Sequence, residues 1–137
     1  MPNTPIAKYS YPAIDCPDPL ALAAFYSKLS GLEMEPLGDF NPEKVTWYCL
    51  LQDGAEAICF QKIDNYVAPT WPEGQVPQQM HLDFHVKDLE TAEEKVLALG
   101  ATKSEFQSAT NFRVYLDPVG HPFCLILNAN VEMFGFA

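Results

Sequence analysis

The residues best suited to chemistry lie in the stretch HLDFHV, residues 81–86. Read with a period of two, His81, Asp83 and His85 share one face, and Leu82, Phe84 and Val86 share the other. That is the pattern of a strand with one polar and one apolar side. An imidazole beside a carboxylate can move a proton near neutral pH, where unperturbed histidine titrates. Asp83 and His85 beside His81 are therefore either an acid–base pair or a satisfied polar cluster lining a cleft. Arg113 alternates with Tyr115 and offers a cation to a carboxylate of a ligand or of the protein itself. Cys16, Cys49, Cys59 and Cys124 are spaced irregularly in apolar, strand-like surroundings. The even count permits disulfides, but the spacing reads as four buried thiols in a cytoplasmic protein. No Ser/His/Asp arrangement, phosphate-cradling glycine loop or Cys-x-x-Cys motif is present.

The elements that must position these groups occur twice. After residues 81–86, Asp88 can cap a helix in which Leu89, Ala92, Val96 and Leu99 recur at three- and four-residue steps, with Gly100 as its stop. Seventy residues upstream, Tyr11 stands where His81 stands, Asp15 where His85 stands, and Asp18 where Asp88 stands. Leu29 matches Leu99, and Gly31 falls within one residue of the second stop. Pro19 opens the first helix, where a missing N–H costs nothing. Strands are expected near residues 11–16, 33–36, 46–52 and 56–63, with Asp53-Gly54 as a hairpin turn between the last two. The second half continues with strands near 102–107, 112–117 and 123–128. The fold class is α+β, as two tandem βαβββ modules. If Asp15 and His85 face each other about a pseudo-twofold axis, they make a contact across the cleft.

The modules are expected at about 11–63 and 80–128, joined by a proline-rich linker, 64–79, and followed by a tail, 129–137. Long irregular connections are often functional or mobile. Trp71 in this linker either stacks on a ligand, gating the cleft, or lies flat over the second helix. The tail carries Met133, Phe134 and Phe136, which would be costly to expose and should cover their own chain or a partner. The chain has 137 residues, 18 acidic and 8 basic, and a net charge of −10. Such a charge repels nucleic acid and anionic membrane at long range. No segment resembles a signal peptide or a membrane span.

The two halves, with NFRVYLDPVGHPFCLIL near the end and FQKIDNYVAPTWPEGQVPQQMHLDFHVKDLETAE across the centre, resemble glyoxalase-like domains of the vicinal oxygen chelate superfamily. The resemblance covers about residues 10–128. It implies a single domain in which curved mixed sheets enclose one cleft. Metal-dependent members place a ligand on the first and on the last strand of each half. Carried over residue by residue, those positions hold Tyr11, Cys59, His81 and Cys124, with Gln61 on the face of Cys59. Only His81 is a usual ligand, and both carboxylates of the usual set are missing. The resemblance therefore implies no metal cofactor, with zinc as the alternative that imidazole and thiolate leave open.

Two functions follow from this reading. The first is metal-independent capture of a small molecule between Tyr11, Trp47 and Trp71, as in proteins resembling bleomycin-resistance proteins. The second is a lyase, isomerase or dioxygenase with His81 as catalytic group. Ligand contacts are expected from Tyr11, Asp15, Trp47, Cys59, Gln61, Trp71, Asp83, His85, Arg113 and Cys124. The expected assembly is a homodimer with a small-molecule partner, without nucleic acid or membrane.

Overall fold

The computed structural model describes residues 4–39 and 41–133. The chain runs β1 (Ala13–Cys16), α1 (Pro19–Ser30), β2 (Glu33–Met34), β3 (Trp47–Gln52) and β4 (Ala55–Lys62), then β5 (Leu82–Val86), α2 (Leu89–Ala98), β6 (Thr102–Lys103), β7 (Phe112–Leu116) and β8 (Pro122–Leu127). A short 3-10 turn, Pro42–Lys44, precedes β3. The strands form two four-stranded mixed sheets of the same order, β1-β4-β3-β2 and β5-β8-β7-β6. This is the tandem βαβββ plan expected from the sequence, built as two sheets that do not close on each other.

Local chemistry explains the element ends. Asp18 accepts the Ala21 N–H at 3.3 Å, and Asp88 accepts the Glu90 N–H at 3.0 Å and the Thr91 hydroxyl at 2.9 Å. Each carboxylate thus fills the orphan donors of a helix start. Gly31 ends α1 at φ 81°, a conformation a Cβ would strain. Asp53 and Gly54, at φ 51° and 82°, turn the β3–β4 hairpin.

Some expected boundaries move. β1 and β5 start at Ala13 and Leu82, so Tyr11 and His81 lie just before their strands rather than within them. β2 and β6 are two residues each, much shorter than expected.

The registers make the repeat explicit. Ala13 pairs with Cys59 between β1 and β4, and Asp83 pairs with Cys124 between β5 and β8. Cys59 and Cys124 therefore hold equivalent places.

Each sheet buries one face beneath the helices. Leu22, Phe25, Tyr26, Tyr48, Leu50 and Phe60 form a core continuous with Leu89, Val96, Tyr115, Phe123 and Leu125. Tyr26 joins the halves: its ring stacks on Phe60 and Phe84, with centroids 5.9 and 6.1 Å apart. Its hydroxyl donates to buried Asp117 at 2.6 Å.

The cysteines correct the sequence reading. Cys49 and Cys59 are directly opposed across β3 and β4 and form a disulfide, leaving Cys16 and Cys124 as buried free thiols.

The linker lies against the second half. Tyr66 donates to the Val119 carbonyl at 2.9 Å, and Trp71 meets Phe106 edge-on at 6.5 Å. A Cβ at Gly120 (φ 97°) would come within 2.7 Å of the Ala68 methyl, so this contact requires glycine.

Candidate functional site

The face of β5 and β8 turned away from the helices carries the most reactive group of side chains. Strand alternation sends Phe84, Phe123 and Leu125 into the core and leaves His81, Asp83 and Cys124 on the other side. His81 Nε2 lies 3.2 Å from Asp83 Oδ1. Donor atoms of His81, Asp83 and Cys124 all fall within 4.8 Å of one another. Cys124 is 8% exposed, while His81 and Asp83 are open to solvent. Burial pushes the Cys124 thiol up to about 11, and the Asp83 charge and its hydrogen bond with the thiol act in the same direction. The thiol is therefore neutral near pH 7 and is no nucleophile there.

A second imidazole stands close by. A cavity of about 60 Å³ at the seam between the halves is lined by Ala13, Ile14, Tyr26, His81, Leu82 and His121, among others. It has room for a few atoms rather than a whole organic molecule. His121 Nε2 is 2.6 Å from the Asp15 carbonyl, which can only accept, so this nitrogen carries the hydrogen. Tyr66 Oη lies 3.2 Å from the same nitrogen. The backbone N–H of His121 donates to Asp117 Oδ1 at 3.0 Å. His121 was absent from the sequence-derived site. Its only signal there was its place after the Asp117-Pro118-Val119-Gly120 turn, and nothing local tells which element that turn will meet.

The remaining candidates divide between the sheets. Asp15, Gln61 and Trp47 lie side by side in one row of the first sheet, since Gln61 pairs with both neighbours. Tyr11 meets Trp47 edge-on at 6.2 Å. His85 stands one row beyond Asp83, opposite Ile126. Among the described residues no hydrogen bond joins Asp15 to His85; the partner of Asp15 across the seam is His121.

Three expectations need correction. Cys59 sulfur is held in the disulfide and has no thiol to offer a ligand or ion. Arg113 lies on the helical side, paired with Glu90 and, at 3.3 Å, with Glu93 of α2. The protein's own carboxylates thus take the cation. Trp71 is not paired with Tyr11 or Trp47; its aromatic neighbour among the described residues is Phe106.

The donor set decides which ions suit the second sheet. One imidazole, one carboxylate and one thiol are acceptable to Zn²⁺. Mn²⁺ and Mg²⁺ prefer oxygen donors and gain little from a buried thiol.

Comparisons with known proteins agree with the fold. A family model described as a glyoxalase-like domain matches residues 12–126. A glyoxalase/bleomycin resistance protein/dioxygenase family enzyme from Burkholderia phytofirmans is 20% identical, with TM-score 0.60, covering 85% of this chain and 94% of that one. The fosfomycin resistance protein FosX from Listeria monocytogenes is 17% identical, with TM-score 0.62, covering 93% and 95%. A FosX variant solved with Mn(II) and 1S,2S-dihydroxypropylphosphonic acid is 18% identical, with TM-score 0.61, covering 89% and 93%. No curated protein is similar enough in sequence to count as a match. At these identities the structures speak for the fold alone. With two βαβββ halves in matching register and the family model spanning nearly the whole chain, the protein belongs to the glyoxalase-like domain family of the vicinal oxygen chelate superfamily.

Proposed function

We propose that the chain binds a small organic molecule on the face of β5 and β8 turned away from the helices, without a hard divalent ion. The observation that carries this reading is the His81–Asp83 pair beside the buried Cys124 thiol. His81 and Asp83 are open enough to meet a ligand, and together they offer a donor and an acceptor. Cys124 supplies a small, uncharged, apolar wall. The phosphonic acid bound by the FosX variant suggests a compact polar ligand. The Tyr11–Trp47 pair gives an aromatic surface on the other sheet for a ligand with a ring.

A thermal-shift screen of small phosphonates, hydroxy acids and aromatic acids tests this. Compounds that raise the melting temperature of the parent chain should lose that effect in His81→Ala and Asp83→Asn. A screen without such compounds, or compounds indifferent to both changes, would overturn the reading.

A second reading is an enzyme of lyase, isomerase or dioxygenase type, favoured by the convergence of three donor atoms within 4.8 Å. His81, Asp83 and Cys124 would hold Zn²⁺, which supplies Lewis acidity at an open coordination position when bound there. Zinc that raises the melting temperature of the parent chain but not of Cys124→Ser would support the metal site this reading needs, and no rise in the parent chain would overturn it.

The assembly is proposed as a homodimer because Met133 is 60% exposed at the start of an apolar tail. Phe134 and Phe136 lie outside the described residues. Light scattering that returns the mass of one chain would refute the dimer. No helix among the described residues is long and apolar enough to cross a membrane. A cytoplasmic setting requires the Cys49–Cys59 bond to be absent or resistant under reducing conditions, which a thiol count on freshly lysed cells decides.

A further inference from the structure

The helical side of the second sheet holds a groove of about 620 Å³ between the C-terminal end of α1, β5 and α2. Its floor is apolar, built from Leu29, Phe84, Val86, Val96, Leu99 and Leu125. Lys28, Lys87 and Lys95 border it. All three are exposed. They are three of only eight basic residues in a chain of net charge −10. Among the described residues none of them joins an ion pair, whereas Lys103 and Arg113 are held by Glu90 and Glu93. Two carboxylates also border the groove, Asp88 and Glu132. Asp88 is fixed by the Glu90 N–H and the Thr91 hydroxyl and keeps its charge, so the border carries three positive charges against two negative.

From the apolar floor and the unpaired lysines we infer that this groove binds an amphiphile with an acyl chain and an anionic head, such as a medium-chain fatty acid. The volume lies in the range of small-molecule sites, and an apolar groove with a few polar groups at its border suits such a molecule. Methylene groups leave water against Phe84, Val86 and Leu99, while the carboxylate meets lysines that have no ion-pair partner among the described residues. The apolar floor of the groove and His81 lie on opposite faces of β5, with His85 at the groove's border, so each site can fail without the other.

Titration calorimetry of the full chain with dodecanoate, kept below micelle formation, tests the inference. Binding should saturate at a single site and weaken about tenfold or more in the exposed double change Lys28→Glu/Lys95→Glu. Lys28→Arg/Lys95→Arg should retain it, and submicellar dodecyl maltoside, with its neutral head, should bind about tenfold more weakly. Circular dichroism checks that each variant is folded. Absence of saturable binding, equal binding of the neutral amphiphile, or undiminished binding in the charge-reversed chain overturns the proposal. Loss of binding in His81→Ala overturns it too, by moving the acid to the other face. Binding that appears only after the chain is shortened behind Met133 would give the groove to the protein's own tail. Binding that appears only on dilution of a dimer would give it to a second copy.

Discussion

Tyr26→Phe is expected to lower stability by about 1.5–3 kcal/mol, the usual range for losing a hydrogen bond to a charged acceptor. Tyr26 belongs to the first half and Asp117 to the β7–β8 turn of the second, and their bond is 2.6 Å long. Asp117 is 4% exposed, so water has little access to the oxygen left behind. Its other oxygen already accepts the Val119 and His121 N–H groups at 2.9 and 3.0 Å, so it cannot compensate. The substitution keeps the ring and its stacking on Phe60 and Phe84, which isolates the hydroxyl. For a chain of this length the loss corresponds to a fall in melting temperature of about 5–15 °C. Urea denaturation gives the free energy directly. Asp117→Asn should cost less, because an amide oxygen still accepts the two N–H groups and the amide nitrogen can donate to the phenol. A loss below about 0.5 kcal/mol for Tyr26→Phe, within the scatter of surface substitutions, would refute the reasoning. Tyr26 would then not be the tie that holds the halves in register.

The Cys49–Cys59 bond closes a short loop, so Cys49→Ala/Cys59→Ala should cost about 2–3 kcal/mol by chain entropy; a denatured thiol count giving four thiols without reductant would contradict the pairing. Burial raises the free thiols of Cys16 and Cys124 from 9.0 to about 11. Between those values the unfolded chain has shed protons that the folded one keeps, so stability is fully present below about pH 9 and falls as pH rises towards 11. Urea midpoints at pH 8 and pH 10 check the sign, and Cys16→Ala should flatten the fall. Arg113→Gln should change stability little, because its partner Glu90 is exposed, and should leave binding at His81 unchanged. A ligand whose affinity drops with Arg113→Gln would show that the two faces are coupled.

What was legible in the sequence followed from local physics. Asp18, Asp88, Gly31 and Asp53-Gly54 work within a few residues of themselves, and they cap and turn the chain as expected. Alternation put His81 and Asp83 on one face and Arg113 with Tyr115 on another. It could not say which face of β7 would meet α2, since that depends on how Glu90 and Glu93 are presented across the fold. The disulfide was hidden by a register shift. At the hairpin tip Gln52 faces Ala55 and Leu51 faces Glu56, a spacing that, continued, would set Cys49 opposite Ile58. The irregularity between Leu50 and Leu51 moves the ladder by one residue and brings Cys49 against Cys59. A slip of one residue exchanges the two faces of a strand, and no composition signal marks where it falls. The role of His121 was hidden for a similar reason, because its partner Asp15 lies 106 residues away.

The matching registers give one cysteine position two fates. In the first half Cys59 faces Cys49, and oxidation has turned that position into a staple with no proton or lone thiol to give. In the second half the same position, Cys124, faces Val114, which can form no such bond. Its sulfur therefore stays under the influence of Asp83 and His81. The repeat lets one copy take the mechanical duty while its twin keeps a protonated, oxidisable thiol beside two polar groups. A half standing alone could use this position in only one of those ways. Val114→Cys would impose the first choice on the second copy, locking β7 to β8 and silencing the thiol next to His81.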